Sequence, residues 1–139
     1  MASQLKVDTV TGVTTAGSIA VTGECNSTTT NLQQGLNKVW VNFDGSASGA
    51  ASNDSFNVSG MTDNGTGDYT TSFTNNMGDT NYCHLVHAIV ASNYTQYLAN
   101  NFAKATSSYR EEQDSFDGSS TTTNRDHTHC NLGILGDLA

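Results

Sequence analysis

The stretch SFNVSGMTDNGTGDYTTSFT, residues Ser55–Thr74, decides the fold that the sequence predicts. Two runs rich in Val, Thr, Tyr and Phe flank the segment TDNGTGDY, whose Asp, Asn and glycines suit a turn with positive φ angles. Because alternate residues of a strand point to the same side, the two runs predict a β-hairpin with one apolar face. The side chains predicted to line that inner face are Phe56, Val58, Tyr69, Thr71 and Phe73.

Further strands are predicted on both sides of this hairpin. The segments KVWVNF and HTHCNLGIL each alternate between apolar and other residues, and Trp40 lies on the outer side of the first. The predicted inner residues of these segments are Val39, Val41, Phe43, Cys130, Leu132 and Ile134. The continuous apolar run YCHLVHAIVASNY predicts a strand buried on both faces, either within a sandwich or against a partner subunit. The segment TQYLANNFAKA fits either a short helix or an irregular loop, and both remain open.

The composition favours strands and turns throughout. The chain has 139 residues, of which 35% are hydrophobic and 13% are charged, and it contains no proline. Disordered chains combine low hydrophobicity with many charges and abundant proline, whereas this chain has few charges and no proline, so its composition is not that of a disordered chain. Thr, Val and Tyr favour strands, whereas Asn, Gly and Asp favour the turns between them. The sequence therefore predicts an all-β protein: an antiparallel, jelly-roll-like β-sandwich over residues 31–139, preceded by an arm and linker over residues 1–30.

The charge balance bears on possible partners. Five Lys and Arg stand against thirteen Asp and Glu, so the net charge is −8. Nucleic-acid phosphates require clustered cations, and the densest charge run, YREEQD at Tyr109–Asp114, is mostly acidic. The longest apolar run, AIVA at Ala88–Ala91, is far too short to cross a membrane, and MASQLKVDTV lacks the features of a signal peptide. We therefore expect no nucleic-acid binding, no membrane insertion and synthesis in a cytoplasm.

The N-terminal arm contains two short segments in which apolar and polar residues alternate, and a Gly-rich turn separates them. Its apolar residues are Leu5, Val7, Val10, Ile19 and Val21. An isolated two-stranded hairpin is marginally stable in water, so the arm needs a larger surface to pack against. We predict that these residues dock the chain onto its own body, onto a neighbouring copy or onto a larger assembly.

Cysteine and histidine residues offer few candidate metal ligands. Cys25, Cys83 and Cys130 are widely spaced without a CxxC pair, and we interpret them as reduced thiols that pack as small apolar side chains; the alternatives are an intermolecular disulfide and a metal role. On one strand, His127 and His129 project to the same side, where two imidazoles could share a metal or simply face solvent. The sequence favours the second alternative, and it predicts no metal and no cofactor.

The sequence indicates a surface for contacts more than a site for catalysis. It contains no Gly-rich phosphate loop, no GxSxG elbow and no pair of carboxylates in apolar surroundings. Tyr94, Tyr97 and Phe102 interrupt the strand signals, and flat aromatic side chains commonly contact sugars and proteins. We interpret the chain as non-enzymatic, with these three residues as candidate contacts for a host or glycan surface; the alternative is that they cover the core.

The strand segments also occur in an order that resembles a known group of proteins. The motifs K-x-W-V-N-F, D-S-F-N-V-S, D-N-G-T-G-D-Y and M-x-D-x-N-Y follow one another between Thr28 and Tyr82. This order resembles a module of tail-fibre-like and other virion structural proteins of bacteriophages, notably marine and cyanobacterial phages. The opening ASQLKVDTVTG is similar to a short repeat near the attachment ends of such fibres, and the final GDLA is similar to the way these chains end.

The resemblance implies a homotrimeric, β-rich appendage of a virion, assembled in the host cytoplasm. It would dock by its N-terminus to other virion proteins of the tail, neck, baseplate or capsid, and its distal part would touch the host surface. The segment His84–Asp126 departs most from the module, which is where the ligand-specific part is expected. The brevity of the chain implies a short fibre; the alternatives are a purely architectural decoration protein of the capsid or neck, and a glycan-binding receptor module.

Overall fold

A computed structural model of the chain describes residues 6–11, 19–22, 29–89, 95–116 and 122–139. The chain divides into two compact units, Met1–Leu36 and Asn37–Ala139. The boundary falls after Leu36 and not after residue 30, because β2 (Thr29–Asn31) pairs with β1 (Ala20–Thr22) inside the first unit. The first compact unit therefore extends six residues beyond the predicted arm and linker of residues 1–30.

The first unit is small. β1 and β2 form an antiparallel ladder in which Val21 lies opposite Thr30. A four-residue helix, α1 (Leu32–Gly35), follows at once, and the Leu32 amide donates a hydrogen bond to the Ile19 carbonyl at 2.8 Å. In the described part of the chain, no helix has the length and apolar character needed to cross a membrane.

The second unit is a β-sandwich of antiparallel strands, as the sequence predicts. Its strands are β3 (Asn37–Asp44), β4 (Ala51–Phe56), β5 (Val58–Gly65), β6 (Asp68–Phe73), β7 (Cys83–Ile89), β8 (Thr95–Lys104), β9 (Ser108–Phe116), β10 (Thr122–Asn124) and β11 (His129–Leu135). Within the described residues, the four-stranded sheet has the order β4-β3-β11-β7. The five-stranded sheet has the order β5-β6-β9-β8, and β10 continues the β6 side of β9.

The core lies between the two sheets and follows the predicted alternation. Its apolar members include Val39, Val41, Phe43, Tyr69, Phe73, Tyr109, Cys130, Leu132 and Ile134, all buried. The rings of Phe43 and Tyr69 meet edge to face across the sandwich, with centroids 5.1 Å apart. The inner-face predictions for β3, β6 and β11 are confirmed.

The hairpin that decides the fold is β5–β6, joined at Thr66 and Gly67. Gly67 has a φ of +68° and approaches β9 closely, since a Cβ there would lie 2.6 Å from the Gln113 carbonyl oxygen. The Gln113 amide donates to the Gly67 carbonyl at 2.6 Å, so the turn also continues the ladder toward β9. Glycine at this position therefore meets both a backbone and a space requirement.

Three expectations for individual segments need correction. β7 is an edge strand with one exposed side, because only β11 pairs with it among the described residues, so the sandwich itself does not bury both faces; burial against a partner subunit stays a prediction. TQYLANNFAKA belongs to a strand, β8, and is neither helix nor irregular loop. Phe56 is exposed and does not share an inner face with Val58, because Asn57, with a φ of +58°, separates β4 from β5 and the two strands enter different sheets.

Candidate functional site

The outward side of the four-stranded sheet is the first candidate surface, and we call it the apolar face. The strand registers place Leu85 opposite Gly133, Gly133 opposite Trp40, and Trp40 opposite Phe56. These four residues therefore form one row across all four strands, in which Leu85 is 58% and Phe56 53% exposed. Ile89, also 53% exposed, points to the same side two outward positions further along β7. A continuous apolar row in water is uncommon on a lone soluble domain and commonly marks a contact surface.

The next outward row of the apolar face is polar and hydrogen-bonded within itself. It runs His87, Asn131, Asn42 and Asp54 across the sheet. The Asn42 side-chain amide donates to Asn131 Oδ1 at 2.8 Å, and the amide of Asn53 donates to Asn42 Oδ1 at 2.9 Å. These amides satisfy one another laterally, so the row forms a fixed polar border beside the apolar one.

The outward side of the five-stranded sheet has the opposite chemistry. The Arg110 guanidinium binds Asp68 through two bonds, from Nε at 2.9 Å and from Nη2 at 2.5 Å. The Asn64 amide donates to Asp68 Oδ1 at 3.2 Å and to Thr70 Oγ1 at 2.9 Å. The hydrogen bond from Arg110 holds the pKa of Asp68 below its usual range. This surface is charged and suited to water.

A chain of buried polar side chains crosses the sandwich interior from β9 to β11. The Cys130 thiol donates to Gln113 Oε1 at 3.1 Å, and the Gln113 amide donates to Glu111 Oε1 at 3.0 Å. Glu111 is only 4% exposed, and its second oxygen, Oε2, has no hydrogen-bond partner in the part of the chain that the structure describes. Burial raises the pKa of Glu111 to about 7, against the smaller opposing effect of the bond from Gln113.

A second interior network fixes the end of the sandwich near Gly67. The Tyr69 hydroxyl donates to Asp126 Oδ1 at 2.7 Å and lies 3.2 Å from the Gly45 carbonyl oxygen. The Gly67 amide donates to the same carboxylate oxygen at 2.7 Å. Burial, followed by the bond to Asp126, raises the pKa of Tyr69 far above its usual range, so the phenol remains a donor. The Tyr69 ring also requires glycine at position 45, where a Cβ would lie 2.4 Å from the hydroxyl oxygen.

The buried side chains of Cys130 and Glu111 are closed off from solvent and take part in hydrogen bonds that hold the core together. Burial raises the pKa of the Cys130 thiol to about 11, so at neutral pH it is protonated and a poor nucleophile. Its side chain is fully buried, and it also lies 3.2 Å from the His127 carbonyl oxygen. A substrate atom cannot reach the sulfur or the Glu111 carboxyl without opening the core.

The predicted docking residues of the N-terminal arm lie partly within the described chain. Val7, Val10 and Val21 are exposed, with more than half of each side chain in solvent, and Ile19 is half-buried. Leu5 lies outside the described residues. The exposed valines are available for docking, and what they contact remains a prediction.

The predicted aromatic and histidine sites have different outcomes. Tyr97 and Phe102 lie on β8, opposite Asp114 and Glu111 in the register, and Tyr94 lies outside the described residues.

His127 and His129 do not share one side: His127 precedes β11 and is buried, whereas His129 begins that strand and is exposed. Strict alternation fails because the strand starts only after His127. Among the described residues, no three His, Cys, Asp or Glu side chains cluster closely enough to hold a metal.

The apolar face is the feature that sequence reasoning missed. The sequence pattern predicts an outer position for Trp40, but it predicts an inner position for Phe56 and burial on both faces for the strand that carries Leu85 and Ile89. The alternation Cys83, Leu85, His87, Ile89 in β7 is a period-two signal, and polar His87 within it favours an exposed side. That signal was hidden because the intervening inner residues are apolar too.

Compared with protein-family models, with curated proteins and with solved structures, this chain matches none of them.

Proposed function

We propose that this chain is a non-enzymatic structural subunit of a bacteriophage virion. In this proposal it forms a short, homotrimeric, fibre-like appendage that docks to other virion proteins by its N-terminus and presents its C-terminal half to the host surface. The observation that carries the proposal is the apolar face: Trp40, Phe56 and Leu85 lie in one outward row of a sandwich whose other side is charged. A subunit of an assembly needs such a surface for its contacts, whereas a solitary domain with an exposed apolar patch tends to aggregate.

The interior chemistry supports a structural role over a catalytic one. Glu111 and Cys130, a carboxyl and a thiol that could in principle act in catalysis, lie inside the closed core, and Cys130 keeps its proton at neutral pH. The motif order from Thr28 to Tyr82 points to the same class of protein by resemblance. The exposed Val7 and Val10 give the N-terminal unit apolar side chains with which to dock.

The test is incorporation into particles of the phage whose genome encodes the chain. Antibodies against the recombinant protein should label purified virions at a fixed position, and mass spectrometry should give copies in multiples of three. Replacing Val7 and Val10 together with Asp should abolish incorporation and leave the far-ultraviolet circular dichroism unchanged. The matched control is Thr62→Asp, an exposed change on β5 that should incorporate normally.

The outcomes also separate the alternatives. Label on capsid or neck, together with no adsorption of the purified protein to host cells, supports the architectural decoration protein. Adsorption to host cells that Tyr94→Ala or Tyr97→Ala weakens supports the glycan-binding module. A particle preparation that lacks the chain altogether contradicts the proposed function.

A further inference from the structure

We propose that the apolar face is the surface through which copies of this chain associate with one another. This inference rests on the proposed function, since it names the part of the subunit that the assembly covers. Its occupant is a second copy of the same chain, with its own apolar row laid against the row of Phe56, Trp40, Gly133 and Leu85.

The distribution of charge favours a second copy as the occupant. The chain carries a net charge of −8, so two copies repel each other over most approaches. The Leu85–Phe56 row holds no formal charge, and the polar row beside it holds one, Asp54; Asp44 lies one outward row further along β3. Toward the other end of β3, Lys38 is only 5% exposed. Like-charged copies can therefore meet through this face with little repulsion.

The polar border is already prepared for burial. Covering an amide costs free energy when its hydrogen bonds to water are lost without replacement. Asn42 bonds laterally to Asn131 and accepts a bond from Asn53, so a neighbour that covers this row does not have to replace those bonds. Gly133 presents no side chain between Leu85 and Trp40, and a Cβ there would be in ordinary contact with the Asn37 amide at 3.7 Å and with Leu85 Cβ at 3.8 Å.

The size of the face sets the expected strength of the contact. Four strands about 4.8 Å apart and seven residues long at about 3.4 Å per residue give about 450 Å² on each copy. Two copies together cover about 900 Å², close to the ~1,000 Å² that a specific interface requires. We therefore expect reversible association with a dissociation constant on the order of micromolar. A contact of this one face with the same face of another copy has two-fold symmetry, whereas in a trimer each face turned toward the three-fold axis would divide its area between two neighbours.

The experiment is sedimentation equilibrium of the full chain from roughly 1 to 200 μM, a range chosen to bracket a micromolar constant. We expect the wild type to form a closed oligomer within this range. Leu85→Glu and, separately, Phe56→Glu should weaken association by about 100-fold or more, because each places a charge in the apolar row. Both sites are more than half exposed, so the monomer should keep its thermal midpoint. Thr62→Glu, on the other sheet, is the matched control and should change association by less than about threefold.

Cys83 gives a second, independent measurement. It is exposed and lies in the outward row beside Leu135, at the end of the apolar face. The Cys25→Ser variant leaves Cys83 as the accessible thiol, because Cys130 is buried. Alkylation of Cys83 should slow as the concentration of this variant rises, and adding Leu85→Glu to it should remove that protection.

A wild type that remains monomeric to 200 μM, or an oligomer that survives both Glu substitutions, overturns the proposed interface. These results are separable from the virion test. Association through this face by a protein absent from particles contradicts the proposed function alone, and incorporation of Leu85→Glu at the wild-type copy number contradicts the interface alone.

Discussion

The two sheets of the sandwich differ on both of their sides. The four-stranded sheet is apolar inward, through Val41 and Leu132, and keeps an apolar row outward through Trp40 and Leu85. The five-stranded sheet turns charged groups outward, as in the Asp68–Arg110 pair. It also turns polar groups inward, and those buried are Thr71, Glu111, Gln113 and Ser115. A half-buried sheet usually has one apolar and one polar side, and here each sheet departs from that pattern in the opposite direction.

The difference shows how polarity is distributed through the molecule. Buried polar groups on one sheet have a free-energy cost, which the apolar inner face of the other sheet offsets by burying Phe43 and Ile134. The exposed parts of the outward apolar row add little to the stability of an isolated copy, because they face water there. Their contribution arises in an assembly, as proposed above. Substitutions that exchange polarity between the sheets test this comparison directly.

We expect the largest change in the free energy of unfolding from Glu111→Gln, a substitution on the inner side of the five-stranded sheet. The pKa of this carboxyl is about 7 in the folded protein against an ordinary 4.5, so the folded state binds the proton more tightly. Stability from this group is therefore greatest below pH 4.5 and is lost as pH rises through 7. A neutral amide removes that loss. We expect Glu111→Gln to raise the free energy of unfolding by about 3 kcal/mol at pH 8.5 and by little at pH 5.

Urea unfolding of both proteins between pH 5 and pH 8.5 measures this difference, and comparing the two cancels the contribution of buried His127. The matched change on the facing sheet is Leu132→Gln, which buries an amide in an apolar surrounding. It should destabilise by on the order of 3 kcal/mol at every pH in the range. Equal pH profiles for wild type and Glu111→Gln contradict the assignment of a raised pKa to this carboxyl.

Strand alternation predicted the parts of the fold in which one face is apolar and the other polar. β3 and β6 show this pattern clearly, and their inner residues Val41 and Tyr69 are buried as expected. β7 was misassigned because both of its sides are largely apolar, so periodicity could not separate the core from the outer face. β8 escaped prediction because tertiary pairing with β9, and not local pattern, makes it a strand.

The candidate site was less predictable than the fold for a related reason. The apolar row depends on which strands are neighbours, and Gly133 lies next to Trp40 only through the pairing of β11 with β3, strands far apart in sequence. The buried carboxyl was equally hidden: Glu111 lies in the acidic run YREEQD, which reads as a solvated segment. Alternation within that run places Glu111 inward and Arg110 outward, but charge composition alone favours exposure of both.

A middle-sized effect is expected from Tyr69→Phe, which removes one polar link between the sheets. The lost bond joins a buried hydroxyl to the Asp126 carboxylate at 2.7 Å, whereas the core contact of the ring with Phe43 is retained. We expect a loss of about 2 kcal/mol in the free energy of unfolding, within the ~1.5–3 kcal/mol usual for a hydrogen bond to a charged group. A double-mutant cycle with Asp126→Asn isolates the pair, and purely additive effects would show that the two side chains are not coupled.

The smallest effect is expected on the outward side of the five-stranded sheet, from Asp68→Asn. The Arg110 side chain is 51% exposed, so water and salt screen its bond to Asp68. We expect the thermal midpoint to fall by about 2–3 °C at low salt and by less in 1 M NaCl. Because the pKa of Asp68 is lowered in the folded state, this contribution is present above the ordinary value of 3.8 and is lost as pH falls through the folded pKa. Oligomerisation should be unchanged, since Asp68 lies on the sheet opposite the apolar face. A loss of association in Asp68→Asn would show that the charged side also contacts neighbouring copies, and the contrast between the two sheets would then no longer explain where the subunit binds.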